Sequence, residues 1–190
     1  MTTSITIFLI LSIMAVFVAC DASFSRALKK AEIMPEFVPN GFSPSVKLSI
    51  VYPNKKVDLG NFIAPSESVE APRISFANSD RHSQYTLLLI DPDVPTKEDP
   101  SNGPFRHWAV VNIPSSGNLA VAGQLSTYIG PQPPVNSGYH RYIFLLYKQA
   151  SVNKLFQSLP TNRTFFDYNT FAQQNDLKLV STNFFMSADI

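Results

Sequence analysis

The sequence predicts a mostly β protein, an antiparallel β-sandwich in which a large central sheet packs on a smaller sheet, with short peripheral helices. Two observations lead to this fold class. All 15 prolines lie between Pro35 and Pro160, where they separate apolar runs that are too short for most helices. Three of these runs are almost continuously apolar, which is typical of strands covered on both faces. The core of the protein is therefore predicted to be a sheet.

The N-terminal segment differs from the rest of the chain because residues 5–20 carry no charge and are mostly apolar. They fall short of the roughly 20 residues that span a bilayer, and small residues near their end offer cleavage positions. Residues 1–20 are therefore predicted to be a signal peptide and residues 21–190 the folded domain, with no stable membrane insertion of the mature chain. An uncleaved anchor is the alternative, since residues 1–4 contain no Lys or Arg.

Cleavage would remove Cys20, which is the only cysteine of the chain. The mature protein would then have no internal disulfide, and its core would be stable through packing alone. Lipid attachment to Cys20, as in bacteria, is a further alternative that Phe17 disfavours, because such signals usually carry an aliphatic residue there.

The elements follow in chain order. A short amphipathic helix is predicted over residues 25–33, because Phe24, Leu28 and Ala31 have helical spacing before Pro35. Strands are predicted where residues alternate or run apolar: Val46–Tyr52, Tyr85–Ile90, Trp108–Ile113, Ala120–Ile129 and Tyr142–Tyr147. The second, third and fifth of these are expected to be the central strands.

Two helices are predicted near the C-terminus. Val152, Leu155, Phe156 and Leu159 fall on one helical face after Ser151, which can act as an N-cap, and Pro160 would end that helix. A second short helix is predicted to begin at Asp167, with Tyr168, Phe171 and Ala172 facing inward.

The charge of the chain argues against nucleic-acid binding. Lys and Arg together number 15 against 14 Asp and Glu, and no block of like charge is present. A single domain of about 170 residues without a cofactor is expected, and we expect it to be a monomer.

Three segments hold most of the unusual polar residues, and each adjoins a predicted strand: Asp91–Pro95, Arg106–Trp108 and His140–Tyr142. Each residue has a structural interpretation, such as an ion pair between Asp93 and Arg141. Three such segments beside central strands nevertheless favour a site, since burying ionisable groups costs stability unless they have partners or a task.

These segments resemble two signatures of the phosphatidylethanolamine-binding family. DPDVPTKEDP at Asp91–Pro100 with RHW at Arg106–Trp108 resembles the first, and GPQPPVNSGYHRY at Gly130–Tyr142 resembles the second. The resemblance implies a large antiparallel sheet packed on a smaller one, and a cis peptide before Pro95. It also implies a ligand pocket formed by Asp91, His107, Pro134, His140 and Tyr142, with structural roles nearby for Asp93, Pro95, Trp108 and Arg141.

The resemblance implies a non-enzymatic binding protein. Its ligand would be a phosphate-type anion or a phospholipid head group, with His107 and His140 as donors. Relatives that inhibit serine carboxypeptidases make such a peptidase a possible partner. Secretion, to an extracellular, vacuolar or other lumenal compartment, is predicted from the apolar leader and from the sequon Asn162-Arg163-Thr164, where a glycan is expected.

Two other functions use the same residues. Asp91, His107 and His140 could supply three metal ligands, although the chain has no close His pair of the HxH or HExxH kind. A hydrolase could combine His and Asp with Ser101 or Ser137, although no GxSxG motif is present.

Overall fold

The computed structural model describes residues 22–77 and 79–189. The predicted signal peptide and Cys20 lie outside these residues. The chain forms two compact units, Met1–Ser43 and Pro44–Ile190. In the first unit, residues 22–30 form helix α1, close to the predicted position. Glu32 follows with φ 55, and the Ile33 N–H donates to the Leu28 carbonyl at 2.8 Å, a closing bond typical of a helix C-terminus.

The second unit is mostly β, as predicted. Its strands are β1 (Lys47–Val51), β2 (Asn61–Phe62), β3 (Arg73–Ala77), β4 (Gln84–Asp91), β5 (Phe105–Pro114), β6 (Gly123–Ser126), β7 (His140–Gln149) and β8 (Leu177–Ser187). Helix α2 (Tyr168–Gln174) and two short 3₁₀ turns complete it, Pro65–Glu67 and Leu119–Val121.

The strands form two sheets. Strands β1 and β3 pair antiparallel in a two-stranded sheet, and the other six form a sheet in the order β2-β8-β7-β4-β5-β6. One buried cluster contains apolar residues of both sheets, among them Ile50 of β1, Ile74 of β3 and Phe144 of β7. The prediction of purely antiparallel pairing is wrong at one edge, because β2 pairs parallel with β8 and the larger sheet is therefore mixed.

The apolar runs were predicted at the right places. Strands β4, β5 and β7 occupy interior positions of the larger sheet, and β1 and β6 also lie within predicted strand regions. Strand β8 was missed because polar residues interrupt its apolar pattern. Two of them have buried partners: the Thr182 hydroxyl donates to the Phe144 carbonyl at 2.8 Å, and the Asn183 amide donates to the Val57 carbonyl at 3.1 Å.

The helix predicted after Ser151 is absent, and residues 151–166 form an irregular segment. Long-range hydrogen bonds hold the backbone in another conformation. The Gln84 side chain accepts from the Asn153 N–H at 2.6 Å, and the Asn112 side chain donates to the Lys154 carbonyl at 3.1 Å. Leu155, which the prediction placed on the apolar face of that helix, is 95% exposed.

Helix α2 confirms the second helical prediction. The Asp167 carboxylate accepts from the Thr170 N–H as an N-cap, and Tyr168, Phe171 and Ala172 are buried. None of the helices in the described residues is both long and apolar enough to span a membrane.

Candidate functional site

The three polar segments meet at one end of the larger sheet. Strand β4 ends at Asp91, and its antiparallel neighbours β5 and β7 begin there, with Asp91 opposite Phe105 and Ile90 opposite Ile143. A cavity of about 180 Å³ lies at this end. All five predicted ligand residues line it, together with four others: Asp91, His107, Pro134, His140 and Tyr142, with Val94, Phe105, Ile129 and Gln132.

A β-bulge in β5 brings His107 into the cavity. Arg106 pairs with Ile90 and Trp108 with Leu89, so His107 is an extra residue between two paired positions. Its ring packs against Tyr142 with the centroids 5.1 Å apart, whereas the neighbouring Arg106 guanidinium lies over Phe166, 4.9 Å from the ring centroid. The side chains of Arg106 and His107, although adjacent in β5, therefore contact different parts of the protein.

His140 is completely buried, and both of its ring nitrogens have protein partners. Nδ1 contacts Asp91 Oδ2 at 2.8 Å, and Nε2 contacts Ser137 Oγ at 3.0 Å. The other Asp91 oxygen accepts the Asp93 N–H at 2.8 Å. His140 therefore links the end of β4 to the loop that precedes β7.

The hydrogen bond donated by Ser137 shows that His140 carries a proton on Nε2. Ser137 Oγ donates to the Pro134 carbonyl at 2.6 Å, and because a carbonyl only accepts, Oγ must accept from His140 Nε2. Burial opposes the imidazolium charge, but the hydrogen bond and the charge of Asp91 outweigh it, so the pKa of His140 is raised. The expectation that His140 donates to a ligand does not fit this geometry, since both N–H groups are already engaged.

His107 has the opposite character. Its Nδ1 donates to the Ile129 carbonyl at 2.7 Å, and within the described residues its Nε2 has no hydrogen-bond partner. Burial is the main cause of the lowered pKa of His107, and the Asp91 charge opposes it only in part. The free protein therefore presents Nε2 to the cavity as an acceptor, and as a donor once the ring gains a proton.

The Tyr142 hydroxyl is a buried polar atom without a hydrogen-bond partner in the described residues. The ring is held by stacking on Phe185, with centroids 5.0 Å apart. Burial raises the pKa of the phenol, the nearby Asp91 carboxylate adds to this effect, and the Gln132 backbone beside the hydroxyl opposes it. Because an unpaired buried hydroxyl costs free energy, this group is suited to bind a ligand at the cavity.

The predicted structural residues surround the site without lining it. The Arg141 guanidinium and backbone N–H all donate to the buried Asp93 carboxylate, the shortest contact being 2.6 Å. The Val94–Pro95 peptide is cis, as the resemblance implied. Trp108 lies in the core, with its ring against Tyr128 at 5.4 Å between centroids.

Comparison with known proteins identifies this arrangement. The sequence model of the family described as "Phosphatidylethanolamine-binding protein" matches residues 53–185 of this chain. This range includes every residue that lines the strand-end cavity. The chain belongs to the phosphatidylethanolamine-binding protein family.

Several known proteins are similar to this chain. Protein SELF-PRUNING of Solanum lycopersicum is 38% identical over 137 residues, 72% of this chain and 77% of that protein. Putative odorant-binding protein A5 of Drosophila melanogaster is 34% identical over 175 residues, 88% of this chain and 81% of that protein. The carboxypeptidase Y inhibitor, solved in complex with its cognate proteinase, has a TM-score of 0.81 and 26% identity, covering 90% of this chain and 97% of its own.

The geometry of the site bears on the two alternative functions, metal binding and hydrolysis. Among residues 22–77 and 79–189, no group of three or more His, Cys, Asp or Glu side chains is arranged to hold a metal ion. Asp91, His140 and Ser137 are connected as in a hydrolase triad, but the Ser137 proton goes to Pro134, and Ser137 is not a cavity residue. The exposed Ser101 is likewise absent from the cavity lining.

Sequence reasoning missed Ser137 as a positioning residue and Phe105, Ile129 and Gln132 as cavity residues. Ser137 lies three residues before His140 and was considered only as a possible nucleophile. The role of Ile129 is carried by its backbone carbonyl, which fixes the His107 tautomer. No side-chain pattern could have indicated that role.

Proposed function

We propose that this member of the phosphatidylethanolamine-binding protein family is a secreted, non-enzymatic binding protein whose strand-end cavity takes a phosphate-type anion or a phospholipid head group. One observation carries the proposal. The buried Tyr142 hydroxyl and His107 Nε2 both belong to the cavity lining, and neither has a hydrogen-bond partner in the described residues. Two polar groups without partners in one small cavity favour a ligand that would pair with both.

Pairing of an anion with His107 requires proton uptake, whereas the Tyr142 hydroxyl can donate at any pH below its own raised pKa. Among the residues that the structure describes, no Lys or Arg lines the cavity, and the His140 charge is directed to Asp91 and Ser137. His107 Nε2 can donate only after the ring takes a proton from solvent. An anion beside this ring would favour the imidazolium and raise its pKa, so affinity should increase as the pH falls.

Calorimetric titration with sulfate and with O-phosphoethanolamine tests this proposal. Sulfate stays dianionic, whereas a phosphate monoester loses charge near pH 6, so sulfate isolates the contribution of the protein. We expect sulfate to bind about tenfold or more tightly at pH 5.5 than at pH 7.5, since a fully linked proton gives up to about tenfold per pH unit. Titrations in two buffers of different ionisation enthalpy should report uptake of up to one proton.

Two variants define the site in this titration. His107→Gln should remove the proton uptake and weaken sulfate binding. Tyr142→Phe should weaken binding by about 1 to 3 kcal/mol, through loss of a buried hydrogen bond. Tyr139→Phe is the matched control, because Tyr139 is half exposed and is not a cavity residue. Equal affinity in the Tyr142 and Tyr139 variants, or no binding to the parent protein, would reject the assignment.

The absence of catalysis has its own test. A fluorophosphonate probe labels serines activated by a histidine base, and the Ser137 hydroxyl instead donates its proton to the Pro134 carbonyl. The intact protein should therefore remain unlabelled, as should a Ser137→Ala variant. Labelling of Ser137 in the intact protein would show an activated nucleophile and overturn the non-enzymatic proposal.

Inhibition of a serine carboxypeptidase is the second candidate function. The TM-score of 0.81 to the carboxypeptidase Y inhibitor supports it, together with the predicted secretion. The protein should then slow the hydrolysis of a peptide substrate by a serine carboxypeptidase at micromolar concentration. Full peptidase activity in the presence of a large excess of this protein would reject inhibition, and only the proposed ligand binding would remain.

A further inference from the structure

Arg106 is a buried cation. It is 2% exposed, and its guanidinium donates through Nε to Ser126 Oγ at 2.6 Å and through Nη2 to the Pro160 carbonyl at 2.6 Å. In the described part of the chain no carboxylate forms an ion pair with it, and Nη1 makes no hydrogen bond. Its two Nη1 N–H groups and its charge therefore remain available.

A second cavity, of about 400 Å³, is lined by Arg106. It shares no residue with the strand-end cavity. Residues of α2 and of the irregular segment 151–166 form its walls, and four large apolar side chains are among them: Leu159, Phe165, Phe166 and Phe171. Its volume lies within the range of small-molecule sites, about 300 to 1,000 Å³.

We infer that this second cavity binds a small apolar carboxylate, whose carboxylate pairs with Arg106 Nη1 and whose hydrocarbon or aromatic body packs against the phenylalanine rings. A guanidinium that is desolvated and unpaired gains most from a charge-assisted hydrogen bond. Burial lowers the pKa of Arg106, and the charge of the nearby Arg163, which donates to the Thr127 carbonyl at 2.8 Å, adds to this effect. The negative charge of a bound carboxylate would offset both effects.

The charges around the cavity favour a monoanion. Asp167 also lines it, and its two oxygens accept from Thr170 at 2.9 and 2.6 Å. This carboxylate would repel a second negative charge on the ligand, as a phosphate dianion would carry. One free guanidinium nitrogen beside one acidic residue suits a single carboxylate group.

The backbone at the cavity supports a ligand role for Phe165. It has φ 56, a conformation that bulky residues rarely adopt, and its ring is 62% exposed. Hydrogen bonds from the Phe165 and Phe166 N–H groups to the Asn102 and Pro104 carbonyls hold this geometry. The backbone thus keeps an aromatic ring at the cavity edge although burial does not require it.

Solution NMR with 4-phenylbutyrate as the probe tests the inference. The protein is produced in bacteria, so that Asn162, which also lines the cavity, carries no glycan. Titration should shift the Arg106 Nε–H signal and the backbone signals of Thr170 and Phe171, with saturation. The uncharged 4-phenylbutyramide should bind at least tenfold more weakly. Equal affinity for acid and amide, or shifts confined to His107 and Tyr142, would overturn the inference.

Variants separate the charge from the apolar contacts. Arg106→Gln should abolish the preference for the acid over the amide, and Arg106→Lys should retain part of it. Because Arg106 is buried and these variants can lose the fold, Phe165→Gly provides a second test. It removes an exposed ring and relieves the positive φ, and it should weaken 4-phenylbutyrate binding at least threefold. Val121→Gly, at an exposed apolar residue outside both cavities, should not change it, and equal effects of the two glycine variants would contradict the inference.

Discussion

At the scale of single residues, the two cavity histidines differ in what their ring nitrogens contact. His140 donates from both nitrogens to protein acceptors and has a raised pKa, whereas His107 donates from one nitrogen and has a pKa lowered by burial. His140 therefore positions Asp91 and the loop around Ser137. His107 is the histidine that can respond to a ligand.

This difference predicts opposite effects of pH on stability. A raised folded-state pKa contributes stability that is present below the unfolded value near 6.5 and is lost as the pH rises through the folded value. His140→Gln should therefore cost more unfolding free energy at pH 5.5 than at pH 9. A lowered pKa contributes stability that is present above about 6.5 and is lost as the pH falls, so His107→Gln should cost more at pH 9.

Urea unfolding of both variants at the two pH values measures this difference. His82→Gln is the control, because His82 is the exposed histidine of the chain. Parallel pH profiles for the His140 and His107 variants would show that the two histidines do not have opposite protonation preferences.

At the scale of elements, the Asp93–Arg141 pair joins the segment after β4 to the start of β7. Arg141 donates through its side chain and through its backbone N–H, so the pair fixes the chain as well as the charge. Asp93→Asn should lower the free energy of unfolding by about 3 to 5 kcal/mol, because it leaves a buried guanidinium without its counter-charge.

The control for this prediction is an ion pair at the surface. Asp80 and Lys148 are in contact at 2.9 Å, with both side chains partly exposed. Asp80→Asn should have a much smaller effect, since solvent screens such pairs. Similar losses of stability in the Asp93 and Asp80 variants would mean that the Asp93 pair has no special structural role.

The irregular segment 151–166 gives a second prediction at this scale. Leu155 is exposed, whereas Phe171 of α2 is buried. Leu155→Ala should change the free energy of unfolding by less than about 0.5 kcal/mol. Phe171→Ala should lower it by about 3 to 5 kcal/mol. A large loss for the Leu155 variant would indicate that Leu155 is packed in the interior, as in the amphipathic helix expected from the sequence.

At the scale of the whole molecule, secretion and glycosylation are predicted together. The sequon asparagine is exposed, and its side-chain oxygen accepts from the Thr164 hydroxyl at 2.9 Å and from the Thr164 N–H at 3.1 Å. After expression in a eukaryotic host, the protein recovered from the culture medium should begin near Asp21 or Ser23 and carry a glycan on Asn162.

Mass spectrometry and N-terminal sequencing of the secreted protein check both points. Thr164→Ala should remove the glycan mass, and Thr164→Ser should keep it, because either hydroxyl completes the sequon. Recovery of the uncleaved chain from the cytosol alone would contradict the prediction of secretion.

The sequence by itself determined the mostly β class, the three central strands, helix α2 and the meeting of the polar segments at one sheet end. These features follow from local patterns, since apolar runs report burial and residues at adjoining strand ends must come together. The Asp93–Arg141 pair was also predictable, because two opposite charges next to buried strands need partners.

Only the tertiary structure decided the bulge at His107, the parallel pairing of β2 with β8, the irregular segment 151–166 and the role of each histidine nitrogen. Each depends on groups far apart in the chain. Asp91 and His140 are separated by 49 residues, and Asn112 and Lys154 by 42. Local propensity favoured a helix after Ser151, but long-range hydrogen bonds to that backbone fixed another conformation. The proton positions on His140 and His107 likewise depend on the backbone carbonyls of Pro134 and Ile129. Every residue has a backbone carbonyl, so the sequence does not show which ones lie beside the histidines; the fold determines that.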